Sequence, residues 1–258
     1  MICIGNTDVG MVRNSNQDTY ILKKYSEKTC LCVVCDGMGG SNGGEVASKL
    51  AAQSFVSVID EFITPYLGQS SKGFSVNDVK KAMKRALMKA NDAVYNEARE
   101  NPKLRGLGTT LVSALVIANT VFCLNVGDSR MYFMKGSKIK QITKDHSYVQ
   151  HLLDLGRITK EDEQYALNKN IITRAVGTEI TVDPDIYKSS VSDGTFILLC
   201  SDGLCNFVED EAICDIVSAD YSSKRIDEIG LGIRARKLID TANNNGGADN
   251  ITVVLIKV

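Results

Sequence analysis

Four short apolar runs in this chain stop against, or start from, an aspartate with glycine or asparagine beside it. Leu31-Cys32-Val33-Val34-Cys35 ends in Asp36-Gly37, and Phe196-Ile197-Leu198-Leu199-Cys200 ends in Ser201-Asp202-Gly203. Val121-Phe122-Cys123-Leu124-Asn125-Val126 ends in Gly127-Asp128, and Asp249-Asn250 precede the run from Ile251 to Val258. Runs of this length and composition read as buried strands. Asp-Gly often marks a hairpin turn. Here Gly37 leads into more glycine and then a helical pattern, and Gly203 into a helical-looking segment, so turns account poorly for the arrangement. Carboxylates gathered at one sheet edge repel unless a cation lies between them, and hard oxygen donors select Mg²⁺ or Mn²⁺. The glycine-rich stretch 36–44 has no Gly-Lys-Ser/Thr, and its GxGxxG spacing breaks at Asn42. Glycine there more plausibly lets a backbone carbonyl come close to a cation.

The rest of the chain fits one domain over residues 1–258. There are no repeats, no low-complexity tract and no Pro/Gly linker, and the stretch 68–73 reads as a loop between helices. Lys and Arg number 30 against 31 Asp and Glu, a balance that argues against nucleic acid or an anionic membrane as partner. The start, Met1-Ile2-Cys3-Ile4, lacks the basic-then-apolar run of a secretion signal, so a cytoplasmic location is expected. On that footing the eight cysteines read as free buried thiols. Cys30, Cys32 and Cys35 lie in an apolar run with no second CxxC or histidine pair, which disfavours zinc. No cysteine has an arginine six positions on, which excludes the tyrosine-phosphatase loop, and two histidines are too few for a His-rich metal site. The stretch 106–127 carries no charge, but its two β-branched runs around Ala118-Asn119-Thr120 predict a buried hairpin rather than a membrane span.

Helical spacing is clearest in Ala47, Ala51, Phe55, Val58, Ile59 and Phe62, and in Val76, Val79, Met83, Ala86, Leu87, Ala90 and Val94. Ser75 with Asp78 predicts a capping box at the second of these helices, and a third amphipathic stretch spans 227–242. Strands are expected around 2–5, 20–23, 30–35, the hairpin, 131–133, 196–200 and 251–258. Most are not separated by single helices, which favours an α+β fold of mostly antiparallel sheets over a doubly wound one.

Taken in order, Arg13-Asn14-Ser15-Asn16-Gln17-Asp18, Asp36-Gly37-Met38-Gly39-Gly40, Gly108-Thr109-Thr110, Gly127-Asp128-Ser129-Arg130, Asp145-His146-Ser147, Ser201-Asp202-Gly203 and Gly247-Ala248-Asp249-Asn250-Ile251-Thr252 resemble the motifs of the metal-dependent type-2C protein serine/threonine phosphatases, in their compact bacterial form. The resemblance implies a four-layer αββα sandwich, with two central mostly antiparallel sheets flanked by helix pairs. It also implies a binuclear Mg²⁺ or Mn²⁺ centre with room for a third ion. By motif position Asp36 bridges the two core ions, the Gly37 carbonyl holds the second, and Asp202 and Asp249 hold the first. Asp128, with Asp202, corresponds to the third site, Asp18 to the acid that orients water, and Arg13 to the phosphate grip, for which a planar guanidinium fork is suited. Two such ions about 3.5–4 Å apart lower the pKa of a shared water and supply a hydroxide for in-line attack on phosphorus. The implied partners are phosphorylated proteins and a cognate serine/threonine kinase, with a monomer as the default state.

The chain departs from the pattern at three places. Met38 stands where animal relatives carry a proton-donating histidine, and Gln17 where many carry glutamate. The substrate-side flap, Ser147 to Ile172, reads Leu167-Asn168-Lys169-Asn170 in place of a His-Pro-x-Arg-Asn box. Two other readings remain: a catalytically silent phosphoprotein-binding domain of the same fold, and a phosphatase dedicated to one regulatory protein. His146 and His151 are expected as loop or helix-surface residues rather than catalysts, and Asn243-Asn244-Asn245-Gly246-Gly247 as a helix cap and turn before Asp249.

Overall fold

The computed structural model describes residues 1–39, 43–67, 74–219 and 226–258. The expected loop at 68–73 lies outside them. Two antiparallel sheets form the centre. One takes, in spatial order, β1 (Ile2–Asp8), β11 (Ile251–Lys257), β10 (Phe196–Cys200), β7 (Arg130–Lys135) and β8 (Lys138–Gln141). The other takes β2 (Asp18–Ser26), β3 (Thr29–Met38), β5 (Leu111–Ile117), β6 (Thr120–Val126) and β9 (Asp185–Ser190), with the two-residue β4 (Gly108–Thr109) pairing the end of β3.

Long helices α1 (Gly43–Ile63) and α2 (Val76–Glu100) cover the second sheet. Helices α6 (Asp210–Ser218) and α7 (Glu228–Asn244) cover the first. Short helices α3 (Tyr148–Asp154), α4 (Glu163–Asn168) and α5 (Asp202–Cys205) fill the loops at one end. The result is the expected αββα sandwich, held by three apolar layers. Phe55, Ile59, Met83 and Leu87 meet Leu31, Val33 and Leu115 on one side, and Leu231, Leu238 and Ile213 meet Leu198 and Leu255 on the other. Between the sheets, Cys30, Cys32 and Val34 face Ile197, Leu199, Val254 and Ile256. Strands covered on both faces must be apolar at every position, which is why β3 and β10 read as continuous runs rather than alternations. Burying each such Leu or Ile contributes roughly 1.5–3 kcal/mol.

The uncharged stretch is the hairpin β5–β6, paired from Leu111–Val126 to Ile117–Thr120. The left-handed turn residue is Ala118, at φ +51°, rather than the Asn beside it. Among the described residues no helix is long and apolar enough to cross a membrane. The helix predicted over 227–242 is α7, capped by the Asp227 side chain accepting from the Gly230 amide. Its C-terminal turn runs through Gly246 and Gly247, both at positive φ. The capping box does not form. Ser75 occupies the N-cap of α2, but its side chain makes no cap hydrogen bond, and the buried stripe through Val79, Met83 and Ala86 holds the helix instead. Strands β8 and β9 were not expected. They are edge strands with few buried residues, so they carry little of the apolar pattern that marks the interior ones.

Candidate metal centre

The antiparallel ladders bring separate strand ends to one place. β2 and β3 are paired so that Asp18 lies opposite Asp36, while β10 and β11 deliver Asp202 and Asp249 from the other sheet. Asp36, Asp128, Asp202 and Asp249, with Arg13, Gln17, Gly37, Met38, Thr110, Asn170, Ile172 and Asn250, line a cavity of about 250 Å³.

The backbone under these acids is held by polar clamps. Thr110 Oγ1 accepts from the Asp36 amide at 2.9 Å, and the Thr110 amide and Thr109 hydroxyl both donate to the Asp36 carbonyl. Gly37 donates its amide to the Gln17 carbonyl. A Cβ on Gly37 would sit 2.0 Å from the Gly44 carbonyl oxygen, so only glycine fits where the chain passes from β3 toward α1. Asn250 stitches the 9–17 loop to the start of β11: its amide donates to the Val9 and Ser15 carbonyls, and its side-chain oxygen accepts from the Gln17 amide. The Ser201 hydroxyl donates to Asp18 at 2.7 Å and accepts from the Thr252 amide, joining the two sheets behind the cavity.

Asp18 is not among the cavity-lining residues. It is buried behind Asp36 and pushed up to about 7, by desolvation first and then by the charges of Asp202 and Asp249 against its hydrogen bonds. Burial and Asp18, Asp202, Asp128 and Asp249 push Asp36 well above the carboxylate range. Asp128, 8% exposed, is pushed up to about 8 by burial and by Asp202 and Asp145. Asp202 is raised by burial and Asp249, while a hydrogen bond from Asp36 opposes the shift.

Such a set is unfavourable as ionised neighbours and favourable as ligands. Asp18 Oδ1 and Asp202 Oδ1 are buried with no hydrogen-bond partner, and the donors around them are hard oxygens. That chemistry fits Mg²⁺ or Mn²⁺. Arg13 meets Asp249 at 2.9 Å with its side chain 53% exposed, so the phosphate grip and a metal acid are paired with each other.

His146 lies in the loop before α3, as expected, but that loop is buried there. It is 6% exposed. Its Nδ1 accepts from the Gly127 amide, the Gly127 carbonyl accepts from its own amide, and its Nε2 faces Asp185 at 3.4 Å. The sequence gives no sign of this, because the partners are 19 and 39 residues away. His151 does lie exposed on α3. Beyond His146, an antiparallel bridge between Ser147 and Ile172 closes off the segment holding α3 and α4, which packs on its own small cluster of Val149, Leu152 and Ile158. Asn170, the last residue of the segment that stands in place of the expected flap box, and Ile172 beyond it reach the cavity wall. Sequence reasoning did not single out Asn170 as a lining residue, or Thr110 and Asn250 as supports, beyond their place in motifs.

Comparison with known proteins points to one family. The family model described as Protein phosphatase 2C matches residues 9–251. A Listeria welshimeri protein named serine/threonine phosphatase stp is 34% identical over 251 residues, 97% of this chain and 93% of that protein. Among solved structures, the Streptococcus agalactiae serine/threonine phosphatase superposes with a TM-score of 0.85 at 27% identity, covering 99% of this chain and 98% of that one. The catalytic domain of the serine/threonine protein phosphatase PstP, solved with two manganese ions, superposes with a TM-score of 0.76 at 32% identity, covering 98% and 96%.

Proposed function

Because the chain belongs to the protein phosphatase 2C family, we propose that it hydrolyses phosphoserine and phosphothreonine in proteins, using two Mg²⁺ or Mn²⁺ ions held by Asp36, the Gly37 carbonyl, Asp202 and Asp249. The observation that carries the reading is that aspartates from four separate strand ends line one cavity, where their mutual repulsion is relieved by a bound cation. When bound, the ions acidify water and neutralise charge developing on the phosphoryl oxygens. Asp128 is assigned, with Asp202, to a third and weaker ion.

The chain's own residues do the rest. Arg13 is half-exposed, and an exposed pair of this kind is worth little, so exchanging Asp249 for a substrate phosphate costs little and gains a charge-assisted fork. Asp18, anchored by Ser201 behind Asp36, orients water from below the cavity. Met38 has no proton to give, so the leaving oxygen takes its proton from solvent in the cleft. The segment from Ser147 to Ile172 is read as the substrate-side flap of one catalytic domain spanning 1–258. The reading extends to a cognate serine/threonine kinase that supplies the substrates, and to a monomer acting in the cytoplasm. A silent phosphoprotein-binding domain is not favoured, since the acids such a domain would lose are all present.

The test is hydrolysis of a phosphothreonine peptide by the full chain in Mn²⁺, with and without excess EDTA. Activity should vanish on chelation and return with added Mn²⁺. Undiminished turnover in EDTA would overturn the proposal.

A further inference from the structure

Strand β3, which carries Asp36 into the acid cavity, also carries sulfur toward its other end. Cys3 stands near the start of β1, and Cys30 and Cys32 near the start of β3. Their three sulfur atoms lie within 4.8 Å of one another. Cys3 Sγ is 3.5 Å from Cys30 Sγ, and Cys30 Sγ is 3.6 Å from Met1 Sδ. Cys30 and Cys32 share a face of β3 because strand side chains alternate with period two, and that face looks into the layer between the sheets. Cys35, which the sequence grouped with them, points to the helix-covered face and is excluded. Cys3 comes across from the other sheet, 27 residues away in sequence. Cys32 is four residues from Asp36, roughly 13 Å along a strand, so the cluster is separate from the carboxylate cavity.

Thiolates around one ion at a metal–sulfur distance of about 2.3 Å stand roughly 3.7–4 Å apart, close to the spacings here. Cys30 and Cys32 are buried, but Cys3 is only partly so, which leaves a way in for an ion. The donor set is all sulfur, three thiols and a thioether, with no imidazole or carboxylate in it. Thiolates alone also hold zinc, but zinc sites are completed by Cys, His or carboxylate, whereas a thioether beside thiolates suits Cu⁺.

We propose that Cys3, Cys30 and Cys32, with Met1 Sδ beside them, form a binding site for one thiophilic cation of the Cu⁺ type. The site does not depend on the phosphatase reading. The test is an anaerobic titration of the reduced full chain with Cu⁺ against a chromogenic Cu⁺ chelator, with thermal unfolding followed in parallel. The wild type should withhold one ion per chain and melt at a higher temperature with Cu⁺ than without. Cys3→Ser, at the rim of the cluster, should hold the ion at least about tenfold more weakly and lose the thermal shift, while keeping Mn²⁺-dependent phosphatase activity as a check on its fold. Cys205→Ser, outside the cluster, should bind as the wild type does. A wild type that surrenders all its Cu⁺, or a Cys3→Ser that retains it equally well, would overturn the proposal.

Discussion

Strand β3 carries opposite chemistry toward its two ends. Toward one end β3 places Asp36 beside Asp202 and Asp249. At the other, its Cys30 and Cys32 meet Cys3 of β1. Neutral thiols bury at little cost and pack as small hydrophobes, so the sulfur end is continuous with the core between the sheets. Carboxylates bury only at the expense of their charge, and the acid end shows it in Asp18 pushed up to about 7 and Asp128 to about 8. One end therefore adds to the stability of the fold, whereas the other draws on it for the sake of binding a cation.

Replacing one residue at each end should expose this contrast most strongly. Asp36→Asn should lower turnover of a phosphothreonine peptide by roughly 10³-fold or more, the equivalent of several kcal/mol of transition-state stabilisation. It should also raise the melting temperature of the metal-free chain, because a carboxyl that folding forces to keep its proton beside Asp18, Asp202 and Asp128 is replaced by a neutral amide. Cys32→Ser should do the reverse, costing about 1–3 kcal/mol of stability by placing a hydroxyl in an apolar layer while leaving turnover within about twofold. Activity assays and urea denaturation of both variants decide the matter, and an Asp36→Asn chain less stable than its parent without metal would break the comparison.

The pH dependence should carry the same signature. A carboxyl whose folded pKa is raised holds its proton longer in the folded state than in the unfolded one, so stability is full below the ordinary pKa and is lost as pH rises toward the folded value. For Asp18 that window runs from 3.8 to about 7, and for Asp128 from 3.8 to about 8. The metal-free chain should lose on the order of a few kcal/mol across it. With saturating Mn²⁺ the slope should change sign, since ligation requires the deprotonated acids. Melting curves from pH 4.5 to 8, with and without Mn²⁺, test this.

A smaller effect separates the two histidines. His146→Ala leaves the Gly127 amide without its partner in a buried site and should cost about 1–3 kcal/mol. His151→Ala, on the exposed face of α3, should stay within about 0.5 kcal/mol. Equal denaturation midpoints would mean that the clamp on the Gly127-Asp128 turn carries no weight.

The stripes of α1 and α2, the interior strands and the aspartates at their ends were legible because each is a local pattern of period 3.6, period 2 or a continuous apolar run. Edge strands β8 and β9 were not, because an edge residue packs on one neighbour and needs little apolar surface; Lys138-Ile139-Lys140-Gln141 looks like any exposed segment until β7 lies beside it. The capping box at Ser75 was legible and did not form, since packing of α2 on α1 suffices to hold the helix.

Residue types and their order thus determined the layers, the acids and the family by which they are read. Which groups share a neighbourhood was decided by tertiary structure alone. Ladder register set Asp18 opposite Asp36, closure of the two sheets carried Cys3 to Cys30 and Cys32 rather than to Cys35, and burial of its loop made His146 a clamp on Gly127. The physical reason is that electrostatic, hydrogen-bond and metal-ligand energies fall off with distance in space, and chain separation says nothing about that distance until the backbone has folded.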